Sequence, residues 1–321
     1  MTENNKKTSV RYYSSVVARK VDWLWYPYIP YGRITIVQGD PGEGKTTFVL
    51  NIAALLSTGQ RMPDSAVPVA VQNSIYQSTE DGLADTVKPR LIDAGANCER
   101  IAFVDDSTYP LTLDDARIES AIRETDAKML VLDPLQAFIG KDADLHRAND
   151  IRPLMQKLAA TAERTNCAVV IIGHMNKSTG TKGLYRGLGS IDITAAARSV
   201  LLVGRLQDEP TIRVMAQIKN NLAAEGKSIA FELDEVNGFR WIGQYDVNVS
   251  DILNGERPVE ESKLAQAKTI IQDMLCSAPC PCSQIYEACH ECGISKRTVD
   301  MAKQLLGVKS QKQPEGWRWL L

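Results

Sequence analysis

The sequence predicts an α/β fold with a mostly parallel sheet, followed by a small C-terminal winged helix-turn-helix unit. Three observations predict it. Between about 34 and 245, short apolar runs alternate with stretches of helical period, as buried parallel strands do when helices cover both faces. After 197 the runs follow one another across short turns, so the sheet ends in antiparallel strands. Beyond 262, three short helical segments precede a strand–turn–strand.

The elements follow in order. ITIVQ (34–38) is a strand, and a glycine-rich turn leads from it into a helix through TTFVLNIAALLS. VAVQNSIYQ is the next strand region, and DGLADTVKPRLIDAG has helical period and ends on glycine. IAFVD (101–105), MLVLD (129–133) and CAVVIIGH (167–174) read as buried strands, separated by helices at about 114–125 and 150–165. SVLLVGR, TIRVMAQIK, SIAFELD and GFRWIG complete the sheet. The polar connections 134–149 and 175–190 follow strand ends, where open α/β sheets bind ligands.

Composition narrows the class. With 44% apolar and 24% charged residues among 321, the chain is neither wholly disordered nor fibrous. It has no apolar run long enough to span a bilayer and its polar start lacks a signal-peptide core, so the expected location is cytoplasmic, with no membrane partner. A net charge of −2 conceals uneven halves: residues 1–20 carry five basic and one acidic side chain, and residues 294–321 six and two. The expected organisation is a basic tail over 1–20, an α/β domain over 21–245, a linker over 246–262 and the small unit over 263–321. Seven cysteines, an odd number, argue against a disulfide framework.

The strongest motif is GDPGEGKT, Gly39 to Thr46, which fits G-x-x-x-x-G-K-S/T between a strand and a helix. Gly39, Asp40, Pro41, Gly42, Glu43 and Gly44 form a loop whose N–H groups turn toward phosphate oxygens, with Lys45, Thr46 and Thr47 opening the helix. Lys45 reaches the β- and γ-phosphates of ATP, and the Thr46 hydroxyl holds Mg²⁺. Asp133, ending MLVLD, has the form of a Walker B carboxylate in the Mg²⁺ shell. Glu80 in QSTEDG is placed to polarise a water. The helix macrodipole also favours a glutamate there, and Asp81 is the better cap. His174, at a strand end, is a candidate γ-phosphate sensor.

These segments together (GDPGEGKTT, YQSTEDGLADTVKPRL, LVLDPLQAF, VIIGHMNKSTG and YRGLGSID) resemble the RecA-like ATPases of the hexameric plasmid replication helicase RepA group, found in mobile-element replication modules. The resemblance covers roughly residues 20–245 and implies a RecA-like P-loop NTPase core. It implies Lys45 and Thr46 as the P-loop pair, Asp133 as the Walker B aspartate, Glu80 as the water-activating glutamate and His174 as the sensor. It also implies a hexameric homo-oligomer, with loop 175–190, carrying Lys177, Lys182 and Arg186, facing a channel for single-stranded DNA. Such rings complete each site with a cation from the neighbour, often a Lys-x-Arg pair. Here Lys219 is followed by Asn221 in the arginine's place, leaving Lys219 alone, Arg198 or Arg213 as the finger.

In the C-terminal unit, SQIYEACHECGISKRTVDMAKQLLGV has the shape of a helix-turn-helix. Ser283 and Ser295 are expected caps, Gly293 the break, and Ile285, Ile294, Val299, Ala302 and Leu305 the inward positions. Lys296, Arg297 and Lys303 then lie on or near the exposed face of a recognition helix, with Lys309 and Lys312 on the wing, for duplex DNA or, as the alternative, in a protein-docking module. Cys280, Cys282, Cys289 and Cys292 have zinc-like spacing, but Cys289 falls at a core position, so packing is the favoured reading. The expected function is an ATP-hydrolysing, DNA-associated motor. The alternative is an ATP-switched DNA-binding regulator or helicase loader without unwinding activity.

Overall fold

A computed structural model of the chain describes residues 10–140, 143–145, 147–174, 191–206, 209–234, 238–247, 249, 252, 263–276, 278–314 and 316–320. The chain divides into two compact units, 1–255 and 256–321. Most of the expected linker 246–262 lies outside the described residues, as does the start of the basic tail.

In the first unit, a short hairpin of β1 (Trp23–Trp25) and β2 (Ile29–Pro30) precedes β3 (Ile34–Gly39) and α1 (Lys45–Thr58). Then come β4 (Asn73–Ser78), α2 (Lys88–Asp93), β5 (Ile101–Ala102), α3 (Ala116–Thr125), β6 (Ala127–Asp133), α4 (Ala148–Thr165) and β7 (Ala168–His174). The last elements are α5 (Ile191–Ala196), β8 (Ser199–Leu206), β9 (Glu209–Asn220), β10 (Ile229–Asp234) and β11 (Gly238–Gln244). Among the described residues the main sheet has nine strands in the order β11-β10-β9-β8-β3-β7-β6-β4-β5. The run from β8 to β5 is parallel, and β9, β10 and β11 extend it antiparallel.

Strand β3 shows why buried parallel strands are apolar on both faces. Val37 packs under α1 with Val131, Val170 and Leu201, while Ile34 and Ile36 pack on the opposite face with Leu130, Ile171 and residues of α3 and α4. The α1 face is closed by aromatic rings. Phe48 lies 5.4 Å from Phe231 and 5.6 Å from Trp241, and Trp25 lies 4.5 Å from Tyr28. The antiparallel extension thereby clamps the helix that follows the glycine-rich loop.

Several local expectations change. The strand at 101–105 is only Ile101–Ala102, because β5 is an edge strand paired at two positions and Phe103 is half exposed. Asp81 does not cap a helix; it is held 2.7 Å from Arg90, and the chain makes a wide turn over Leu83–Val87 before α2. No helix among the described residues is long and apolar enough to cross a membrane.

The second unit comprises α6 (Lys263–Leu275), β12 (Cys280–Pro281), α7 (Cys282–Glu291), α8 (Lys296–Leu305), β13 (Lys309–Gln313) and β14 (Gly316–Leu320). Its small antiparallel sheet has the order β12-β14-β13. Ile271, Ile285, Cys289, Ile294, Val299, Ala302 and Trp319 form its core. Ser295 caps α8 by accepting the Thr298 N–H. Ser283 caps nothing, because α7 already begins at Cys282. Leu305, expected to face inward, is exposed at 49% at the end of α8, and its neighbour Leu306 packs against the core instead.

The tightest backbone constraint lies at Gly39, where a Cβ would stand 2.1 Å from the Val203 carbonyl oxygen of β8. Gly95, at φ +73, has nothing within 4 Å of such an atom. In urea denaturation, Gly39→Ala should cost about 3 kcal/mol or prevent folding, whereas Gly95→Ala should cost about 1–2 kcal/mol from its left-handed backbone alone.

Candidate active site

The site is built at the C-terminal edge of the parallel strands. Register places Gly39 of β3 beside His174 of β7 and Ser78 of β4 beside Asp133 of β6. Four strand ends thus deliver the loop 39–44, Glu80, Asp133 and His174 to one edge. The loop curls at Gly42 and Gly44, both at positive φ (+80 and +84). Gly44 is also packed closely, with room for a Cβ limited by Leu233 Cδ2 at 3.0 Å.

Lys45 is buried, and its Nζ donates to the Gly39 carbonyl at 2.9 Å and the Asp40 carbonyl at 2.7 Å. Burial lowers its pKa, which Asp133 and then Glu43 oppose. The ammonium rests on loop carbonyls, beside the N–H groups that a phosphate would engage. Thr46 Oγ1 donates to Asp133 Oδ2 at 2.7 Å. The carbonyl of Thr47 accepts from the side chain of Asn51, one helical turn on. Asp133 is 6% exposed, and burial raises its pKa while hydrogen bonds from Tyr76 and Thr46 hold it down.

A hydroxyl and a carboxylate joined in this way, next to a phosphate loop, are hard oxygen donors that fit Mg²⁺. Among the described residues no group of three or more His, Cys, Asp or Glu side chains is placed to hold a metal. The fit is therefore to an ion that takes its remaining ligands from nucleotide phosphates and water. Glu80 and His174 meet across the edge, Oε2 to Nε2, at 3.8 Å, with the carboxylate open to solvent.

The structure does not bring Lys219 into this constellation. It lies near the end of β9 paired to the start of β8, at the opposite edge of the sheet from the loop. Its Nζ donates to the carbonyls of Thr194 and Ala197 at 2.7 and 2.9 Å, and burial together with Arg198 lowers its pKa. Arg213 also departs from the role of a free finger. It is buried, and its Nε stands 3.9 Å from Glu43 Oε2. Lys177, Lys182 and Arg186 lie outside the described residues.

In the second unit, Lys296 and Arg297 are exposed on α8. Lys296 sits over the Tyr286 ring at 5.2 Å; Lys303 sits over Trp319 at 4.7 Å and donates to Ser310 at 2.6 Å. Two of the three helix cations are therefore partly engaged by aromatic faces. Cys289 is core, while Cys276 and Cys292 are exposed.

Sequence reasoning missed two features. Tyr76 donates to Asp133 Oδ2 at 2.6 Å from a fully buried ring. Arg205 and Arg213 bracket Glu43 of the loop, with Arg205 Nε at 3.8 Å from Oε1. The available signals were a tyrosine within the strand NSIYQS and an arginine between apolar residues in TIRVMAQIK.

The model of the AAA domain family matches residues 4–180. The DNA repair protein RadA of Halalkalibacterium halodurans is 24% identical over 210 residues, which cover 64% of this chain and 40% of that protein. RadA of Mycobacterium tuberculosis is 23% identical over 242 residues, covering 74% and 44%. The chain thus spans about two fifths of the length of these curated relatives. Among solved structures, a DnaB-like replicative helicase superposes with a TM-score of 0.51 at 16% identity, covering 66% of this chain and 58% of that one. Another solved ATPase domain does so with 0.50 at 15% identity, covering 65% and 84%. These likenesses show the fold alone, an α/β fold with a large, mostly parallel sheet.

Arg213 is buried and Glu43 half-buried, and their facing atoms, Nε and Oε2, have no hydrogen-bond partner among the described residues. Glu43→Gln and Arg213→Met should each destabilise, and in a double-mutant cycle by urea denaturation their effects should be non-additive by about 1–3 kcal/mol. Strict additivity would separate the two residues.

Proposed function

We propose, because the chain belongs to the AAA domain family, that residues 21–245 are an ATP hydrolase of RecA-like fold acting as a DNA-associated motor, a helicase-like replication ATPase of a mobile element. The observation that carries this reading is the convergence of Lys45, Thr46, Asp133, Glu80 and His174 on one sheet edge, with Thr46 and Asp133 joined at 2.7 Å.

Each group has a task in that chemistry. The loop N–H groups and the start of α1 bind phosphate oxygens, and Lys45 exchanges its loop carbonyls for the β- and γ-phosphates. Thr46 and Asp133 would hold Mg²⁺, which when bound neutralises charge developing on the transferred phosphoryl. Glu80 accepts a proton from the attacking water, and its open carboxylate leaves room for that water. His174, in reach of Glu80, links the state of the γ-phosphate to the loop that follows.

Lys219 enters through assembly. At the far edge of the sheet it acts on the site of a neighbouring copy in a homo-oligomeric ring, a hexamer in this reading. Loop 175–190, with Lys177, Lys182 and Arg186, supplies cations for single-stranded DNA. The second unit is a winged helix whose exposed Arg297, with Lys296 and Lys303, meets duplex DNA. The protein works in the cytoplasm. A second reading, an ATP-switched DNA-binding regulator or loader, draws support from Lys219 being tied to its own chain's carbonyls and from Asn221 in place of an arginine.

ATP turnover with and without single-stranded DNA, combined with mass by light scattering, separates the two. The motor reading expects DNA-stimulated hydrolysis by a hexamer, with Glu80→Gln lowering kcat about 10²–10⁴-fold while nucleotide still binds. Unstimulated turnover by a monomer would leave only the switch.

A further inference from the structure

Tyr76 lies in the middle of β4, two residues short of the strand end, and points into the α1 face of the core at 2% exposure. Register sets it beside Val131, so its ring spans the two residues to Asp133 at the end of the neighbouring strand. There the phenol donates to Oδ2 at 2.6 Å, the same oxygen that receives the Thr46 hydroxyl at 2.7 Å. Two donors converge on one carboxylate oxygen.

The arrangement has a cost and a consequence. A carboxylate 6% exposed is poorly solvated, and the two hydrogen bonds it accepts replace part of the water it has lost. A phenylalanine would fill the same apolar space without a buried hydroxyl to satisfy. With both donors on Oδ2, Oδ1 would remain to accept from the shell of a bound Mg²⁺, and the Thr46 hydroxyl, which donates its proton to Oδ2, would still have oxygen lone pairs to offer it.

We propose that Tyr76 is a positioning residue for the metal–nucleotide site, fixing the orientation of the Asp133 carboxylate that, with the Thr46 hydroxyl, would hold Mg²⁺. The proposal rests on the Mg²⁺–ATP reading above and deepens it. Groups that hold a metal's ligands in place typically govern affinity for the ion rather than for the rest of the ligand.

The test is equilibrium binding of a fluorescent ATP analogue to the full chain at graded Mg²⁺ concentrations and, separately, in EDTA. In Tyr76→Phe the Mg²⁺ concentration for half-maximal gain in binding should rise about 10-fold or more, while affinity in EDTA changes less than about twofold. High Mg²⁺ should restore full binding. In an Asp133→Asn background, Tyr76→Phe should add no further Mg²⁺ dependence. An unchanged Mg²⁺ requirement overturns the assignment. So does an equal loss of affinity with and without Mg²⁺, which marks a purely structural tyrosine. A wild-type chain with no Mg²⁺-dependent gain would overturn the nucleotide reading beneath it, and the assignment with it.

Discussion

Strand β3 is hydrogen-bonded to β7 along one edge and to β8 along the other, and it is buried from Ile34 to Gly39. So close is the fit to β8 that position 39 has no room for a Cβ beside the Val203 carbonyl. The loop leaving this strand therefore starts from a point that cannot drift. Everything at the site is measured from it: His174 stands opposite Gly39, and Asp133 follows one strand further along. A catalytic arrangement needs its groups held within fractions of an ångström, and a strand pinned on both edges supplies that rigidity.

The site spends some of that stability. Lys45 and Asp133 are charged groups deprived of water, and burial shifts each toward its neutral form. Their partners are loop carbonyls, a threonine hydroxyl and a phenol, which compensate partly. A phosphate-bearing ligand with its metal would supply the missing countercharge. The surrounding core, from Phe48 and its aromatic neighbours to the valines and isoleucines of β6 and β7, carries the burden meanwhile.

The paired strands β8 and β9 meet different neighbours at their two ends. At one end Arg205 of β8 and Arg213 of β9 bracket Glu43 of the phosphate loop; at the other Lys219 is held by carbonyls of Thr194 and Ala197. Strand β9 carries both Arg213 and Lys219, so the chain's own loop and the face proposed to meet a neighbour share one element.

Contiguous chemistry was legible in the linear order of residues. GDPGEGKT carries its turn, its cation and its hydroxyl within eight positions, and strand ends such as MLVLD and CAVVIIGH announce themselves by apolar composition. The alternation of strands and helices foretold the parallel sheet, and the change of rhythm after 197 foretold its antiparallel end. What the order of residues did not decide was partnership across distance. Tyr76 meets Asp133 across 57 positions, and Glu43 meets Arg213 through a sheet that brings β9 beside the loop. Asp81, read as a helix cap, found Arg90 instead, because a wide turn intervened. Local propensity determines which residues curl, pair or cap within a few positions. Which buried donor finishes beside which carboxylate depends on strand order and register, and these are settled only when the whole sheet closes on its core.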